Sequence, residues 1–169
     1  ISGVISVSHS RETYYLNITQ PTYYAAKVFK DYLRRAGVEV TGNVRIGPVP
    51  EDAHDLLSHT SAPLSLILRG LNKFSNNFVA EQILKTIGAE LYGQPGSTKN
   101  GLRAMNEYMR SLRFGSGRFR ILDGSGLSRQ NRLSPDQIVS VLQAMHGDLG
   151  IYPEFVAALG VMGRDGNVL

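Results

Sequence analysis

The sequence contains no cysteine. That excludes disulfides, thiolate nucleophiles and cysteine-ligated metals, and it leaves the compartment open, since a chain without thiols suits an oxidising or a reducing location equally. Long apolar runs are also missing. None approaches the roughly 20 residues that cross a bilayer, so no transmembrane segment is expected, and no basic stretch followed by an apolar one opens the chain. The first residue is Ile1 rather than Met, so a processed or trimmed chain is expected and the missing leader is silent about export. Metal chemistry lacks its ligands. The four histidines, His9, His54, His59 and His146, share no ligand spacing, and neither a His-Glu-x-x-His helix nor an acidic calcium loop is present. No organic cofactor is expected either, because Gly93–Gly96 and Gly115–Gly117 read as turns rather than phosphate cradles.

What is there describes a globular chain. The 169 residues are 42% apolar and 19% charged, a balance that excludes disorder and allows one sizeable core. The net charge of +4 is mostly arginine, concentrated between Arg103 and Arg132. It lacks the aromatic interleaving or recognisable module of a nucleic-acid binder, so a solvated face with local ion pairs is the expected reading and a basic nucleic-acid-binding domain the weaker rival.

The patterning predicts strands over Gly3–Ser8 and Thr13–Ile18, then a helix from Pro21 that ends near Gly37, with Tyr24, Val28, Phe29, Tyr32 and Leu33 at helical spacing. Short strands are predicted over Val38–Val40 and Val44–Ile46. From Pro63 to Tyr92 the pattern is helical, but the stripe Ile67, Leu71, Phe74, Phe78 does not continue into Val79, Ile83, Ile87, Leu91. The register slips near Ser75, where weak helix formers follow one another, and this predicts two helices or one broken helix. A further helix carries Leu102, Met105, Met109 and Leu112. Arg118–Leu122 reads as a strand entering a loop at Asp123. Ser134 caps the next helix, with Pro135 in its first turn, Gln137 completing a capping box and Ile138, Val141, Leu142 and Met145 as its buried face. A last short helix starts at Pro153.

Two segments carry the chemistry. The first is Ser75-Asn76-Asn77. A serine hydroxyl both donates and accepts, so it can pass a proton to a leaving amine, and an asparagine amide two residues on can accept from an ammonium and donate to a carbonyl. The second is Asp123-Gly124-Ser125-Gly126-Leu127-Ser128-Arg129-Gln130-Asn131-Arg132-Leu133-Ser134-Pro135. Its glycines permit close backbone approach and Asp123 can bind local amides. Together with the flanking runs Ser61-Ala62-Pro63-Leu64, Leu71-Asn72-Lys73-Phe74 and Phe78-Val79-Ala80-Glu81, these segments resemble the D-alanyl-D-alanine carboxypeptidases of the class C penicillin-binding, serine peptidase S13 type.

The resemblance implies an α/β (α+β) domain of the serine β-lactamase/transpeptidase kind, with helices packed on an antiparallel sheet. Residues 1–169 would be its middle-to-late part, and 1–18 the end of an inserted domain. It implies Ser75 and Asn77 as catalytic residues, and Leu127 and Arg129 as substrate-binding positions that give an apolar and a charge-assisted contact to the acyl-donor peptide. Arg132 is expected instead to tie the loop down. Peptidoglycan stem peptides, whose free carboxylates suit a basic face, and β-lactams would be the ligands, and the location extracytoplasmic. Two family motifs are absent. No serine has a lysine three residues later, and Lys85-Thr86-Ile87 lacks the glycine of Lys-Thr-Gly. The nucleophile is therefore expected outside this chain, on a companion segment or subunit, and the isolated chain is expected to be inactive, with apolar surface and unpaired strand edges left uncovered. The rival from another class is a non-catalytic module that holds peptidoglycan peptides.

Overall fold

Pro21 sets the backbone for a first helical turn, and α1 (Pro21–Arg35) begins there. The structure, a computed structural model, describes residues 17–112 and 118–167. The expected strand over 3–8, the expected strand over 13–18 except its last two residues, which are irregular, and the expected turn at 115–117 lie outside them. The chain divides into two compact units, Ile1–Ser58 and His59–Leu169.

In the first unit, α1 ends with Gly37 at φ +84°. Asp31 pairs with Arg34 and Arg35 one turn later, and the Lys30 ammonium donates to the Gly42 carbonyl. No residue of α1 is buried, and Phe29 and Tyr32 stand mostly exposed. The strands predicted at 38–40 and 44–46 are absent; both stretches are irregular.

Among the described residues the second unit holds five helices: α2 (Leu64–Phe74), α3 (Asn77–Tyr92), α4 (Thr98–Ser111), α5 (Pro135–Gly147) and α6 (Tyr152–Ala158). The slip of apolar register near Ser75 is a real break, with Ile67, Leu71 and Phe74 on α2 and the second stripe, together with Phe78, on α3. Helices α3 and α4 pack most closely, where Gly88 of one meets Gly101 of the other and Leu84, Ala89, Ala104 and Met109 are buried. The α3–α4 pair is reinforced by Glu107, which accepts from the Tyr92 hydroxyl at 2.5 Å and from Arg103 Nε at 2.9 Å. α2 packs on α6, where Ala158 is buried, and α6 also touches α5. His146 meets Tyr152 edge to face at 4.8 Å.

The expected antiparallel sheet is overturned. Among the described residues the architecture is helical, and the one β contact is an isolated bridge between Arg120 and Arg132. These two exchange backbone hydrogen bonds of 2.9 and 2.8 Å. The ladder cannot lengthen at either end, because side chains already hold the next amides. Leu122 N–H goes to Asn131 Oδ1 at 2.8 Å, and Ser134 N–H goes to Gln137 Oε1 at 2.9 Å. The expected unpaired strand edges are therefore not found among these residues; what lies uncovered is apolar side-chain surface.

The capping box of α5 forms as expected. Its buried face does not. Ile138 is 50% and Leu142 45% exposed, whereas Gln137 is only 2% exposed. Gln137 turns inward with the cap, and the apolar stripe is only partly covered, with Val141 and Met145 half-buried.

Candidate active site

Helix α2 stops because Ser75 takes the left-handed conformation, φ 50° and ψ 52°, with its N–H on the Leu71 carbonyl. Asn76 N–H bonds the same carbonyl at 3.1 Å, so the helix end closes in the manner of a Schellman turn, with serine where glycine is usual. A side chain in this conformation costs about 1–2 kcal/mol. Asn76 then caps α3 by accepting from Val79 N–H at 3.1 Å. Of the three residues Ser75-Asn76-Asn77, the middle one is thus committed to structure. The Ser75 hydroxyl and the Asn77 amide are exposed and make no hydrogen bond among the described residues.

Opposite them stands the Asp123 loop, which holds itself. The Asp123 carboxylate accepts from Gly126 N–H at 2.9 Å, Ser128 N–H at 2.6 Å and Asn131 Nδ2 at 2.8 Å. These bonds, that from Asn131 foremost, keep its carboxyl below the usual aspartate range against the opposing effect of partial burial. The Arg132 guanidinium donates to the carbonyls of Arg129 and Asn131 at 2.6 and 2.7 Å, as expected of a residue that ties the loop down.

The loop is fixed to α3 by Glu81. One of its carboxylate oxygens accepts from Gly124 N–H at 2.9 Å and Ser125 N–H at 3.0 Å. Gly124 lies so close to α3 that a Cβ would stand 2.9 Å from the Ala80 carbonyl oxygen. The outcome is a concavity of about 230 Å³ bounded by Ser75, Asn76 and Asn77 on one side and Gly124 and Ser125 on the other. A free hydroxyl and a free amide, one able to relay a proton and the other to hold a carbonyl, share one open cleft.

The whole chain, residues 1–169, matches the D-Ala-D-Ala carboxypeptidase 3 (S13) family. The chain belongs to that family. It is 37% identical over 145 residues to a D-alanyl-D-alanine carboxypeptidase of Actinomadura, covering 84% of this chain and 27% of the relative. It is 32% identical over 120 residues to the D-alanyl-D-alanine carboxypeptidase DacB of Haemophilus influenzae, covering 71% and 25%. The chain therefore spans about a quarter of the length of these relatives. Its structure is similar to a crystal structure of penicillin binding protein 4 (dacB) from Haemophilus influenzae in complex with a β-lactam. The TM-score is 0.77 at 28% identity, over 90% of this chain and 35% of the other.

Within this S13 chain the two groups of expected site residues separate. Ser75 and Asn77 come together with the loop, whereas Leu127, 69% exposed, and Arg129 lie on its outer part and do not line the concavity. Among the described residues the Arg129 guanidinium has no partner. Glu81 was not anticipated as part of the site, although it sits one turn after Asn77 on the same helix face, a spacing that could have suggested it. Lys73, two residues before Ser75, and Asp165 meet at 2.6 Å, are 92 positions apart and left no local signal. The described residues contain no cluster of side chains suited to a metal and no helix long and apolar enough to cross a membrane.

Proposed function

We propose that this chain forms one wall of the cleft of a serine-type D-Ala-D-Ala carboxypeptidase acting on peptidoglycan stem peptides outside the cytoplasm. Residues 1–169 would be the middle-to-late part of its transpeptidase-like domain, with residues 1–18 the end of an inserted one. The observation that carries this is the convergence of the unpartnered Ser75 hydroxyl and Asn77 amide with the Gly124–Ser125 wall in an S13 chain. The Haemophilus structure with a bound β-lactam makes β-lactams the natural probes.

In this mechanism a serine outside these 169 residues attacks the penultimate D-alanine carbonyl. Its hydroxyl proton passes to a base, a new ester C–O bond forms, and the C–N bond to the terminal D-alanine breaks. Ser75 relays a proton to the departing amine, a contribution of about 10²–10⁴-fold. Asn77 orients the substrate amide. Water then cleaves the ester and regenerates the serine. Leu127 and Arg129 meet the acyl-donor side chain at the cleft's outer edge, Arg129 through a carboxylate.

The small core leaves apolar surface for a companion segment to cover, and the nucleophile is proposed to lie on that segment. Leu84, Ala89, Ala104, Met109 and Ala158 are the buried apolar residues among those described, while Phe74, Phe78, Leu56 and Leu149 stand exposed.

The test is labelling with a fluorescent penicillin followed by denaturation and intact mass measurement. An adduct on a polypeptide or segment other than these 169 residues is expected. An adduct within them would overturn the external nucleophile, and no adduct on any polypeptide would favour the non-catalytic peptide-binding module.

A further inference from the structure

Two residues before Ser75 the structure holds a contact set that the proposed chemistry does not use. Lys73 is only 7% exposed, and its ammonium donates to the Leu159 carbonyl at 2.9 Å and to the Asp165 carboxylate at 2.6 Å. The other Asp165 oxygen accepts from Val161 N–H at 2.9 Å, which fixes the 161–165 turn around the ion pair. Two residues later Asn167 doubles back. Its N–H donates to the Lys73 carbonyl at 2.8 Å and its side-chain amide to the Phe74 carbonyl at 2.9 Å. Gly166, at φ +75°, makes this approach possible, since a Cβ there would stand 2.5 Å from the Lys73 carbonyl oxygen.

The carbonyls of Lys73 and Phe74 are the last of α2, and such helix-end acceptors have no partner within the helix. Here a segment about ninety positions away in sequence satisfies both. The next residue is Ser75, held in a conformation that a side chain disfavours. A strained residue persists where its surroundings over-determine it, and these three residues, none of which lines the concavity, are placed to supply that constraint.

We infer that Lys73, Asp165 and Asn167 are positioning residues that hold Ser75 in its left-handed conformation, so that its hydroxyl stays at the cleft. The role in chemistry rests on the reading of Ser75 as the proton relay; the hold on the backbone does not. Asp165 forms the ionic anchor and Asn167 the two-point cap. Neither has a place in the cleft itself, so both act through Ser75.

The experiment uses the whole polypeptide that carries this sequence, with Asn167→Ala as the first variant, because Asn167 is exposed and its loss spares the interior. Asp165→Asn is the second. Amide exchange followed by NMR should speed up about tenfold at Asn76, whose N–H bonds the Leu71 carbonyl, with Leu84 in mid α3 unchanged. Acylation by a penicillin should slow about tenfold in its first-order step, the scale expected when a reacting group is misplaced by less than 1 Å. The non-covalent dissociation constant should stay within about twofold.

Unchanged exchange at Asn76 in both variants would overturn the clamp. So would an equal acceleration across α2 and α3, which would make the segment a general staple. Faster exchange at Asn76 with unaltered acylation would overturn the positioning role. If the unsubstituted protein takes no penicillin adduct, the carboxypeptidase reading fails by itself, and the exchange result still decides the clamp.

Discussion

The Asp123–Arg132 loop and the α2–α3 turn face each other across one concavity, yet they are held by opposite means. The loop is stabilised mainly from within, by an aspartate, an asparagine and an arginine of its own, plus one glutamate from the helix beneath it. The turn is held from outside, by an aspartate and an asparagine from the far end of the chain, the aspartate through its ion pair with Lys73 of α2. A site can thus combine one wall that folds by local rules with another that exists only once the fold is complete. Such pairs of walls respond differently to perturbation.

The loop should fail first and most when its hub is removed. Asp123→Ala leaves two backbone amides and the Asn131 side chain without their acceptor and should cost about 3 kcal/mol, measured by chemical denaturation. The α2–α3 turn should be spared, as judged by unchanged exchange at Asn76. Coupled collapse of both walls would remove the distinction between them.

Acid should reproduce part of that loss reversibly. The Asp123 carboxyl titrates below its ordinary value when folded, so its contribution is complete above the unfolded aspartate pKa of about 3.9 and falls as the pH drops through the lower folded value. Asp165 is depressed in the same direction, first by its hydrogen bond from Lys73, so the turn's anchor should loosen in the same acid window. A loss of loop or turn order already near pH 6 would contradict both assignments.

A smaller effect of opposite sign is expected in the turn. Ser75→Gly removes the left-handed penalty of about 1–2 kcal/mol but adds glycine's entropy cost of about 0.5–1 kcal/mol, leaving a net gain of up to about 1.5 kcal/mol. Penicillin acylation should fall in the same variant, because the hydroxyl proposed as the relay is gone. Destabilisation would show that Ser75 is not strained.

The smallest effect on stability belongs to Arg129→Ala, whose guanidinium has no partner among the described residues. Stability should change by less than about 0.5 kcal/mol. Turnover of peptides with a carboxylate on the acyl-donor side chain should drop relative to those without one. Equal loss for both classes would remove the charge-assisted role proposed for Arg129.

Much of the helical framework was legible in the sequence because it depends on neighbours. Pro21 and Gly37 bracket α1, weak helix formers mark the break at Ser75, and Ser134-Pro135-Asp136-Gln137 spells out a capping box. The family was legible from the same short segments. What failed were statements that needed a distant partner. Val38–Val40 and Val44–Ile46 have strand-like composition but pair with nothing among the described residues, and Arg118–Leu122 stops at a single bridge because side chains take its neighbours' amides. The α5 stripe was expected inward and stands half exposed for a similar reason: periodicity names a face, not what covers it.

The sequence by itself determined where helices start and stop, which residues could carry proton relay and carbonyl binding, and the family to which the chain belongs. Local capping, left-handed turn positions and side-chain chemistry act over a few residues, so they are written in order along the chain. Only the tertiary structure decided that Ser75 and Asn77 share a cleft with Gly124 and Ser125 while Leu127 and Arg129 lie outside it. It alone decided that Lys73 meets Asp165. Those contacts join residues about fifty and ninety positions apart, and they form only when packing of α2 on α6 and of the loop on α3 makes the approach.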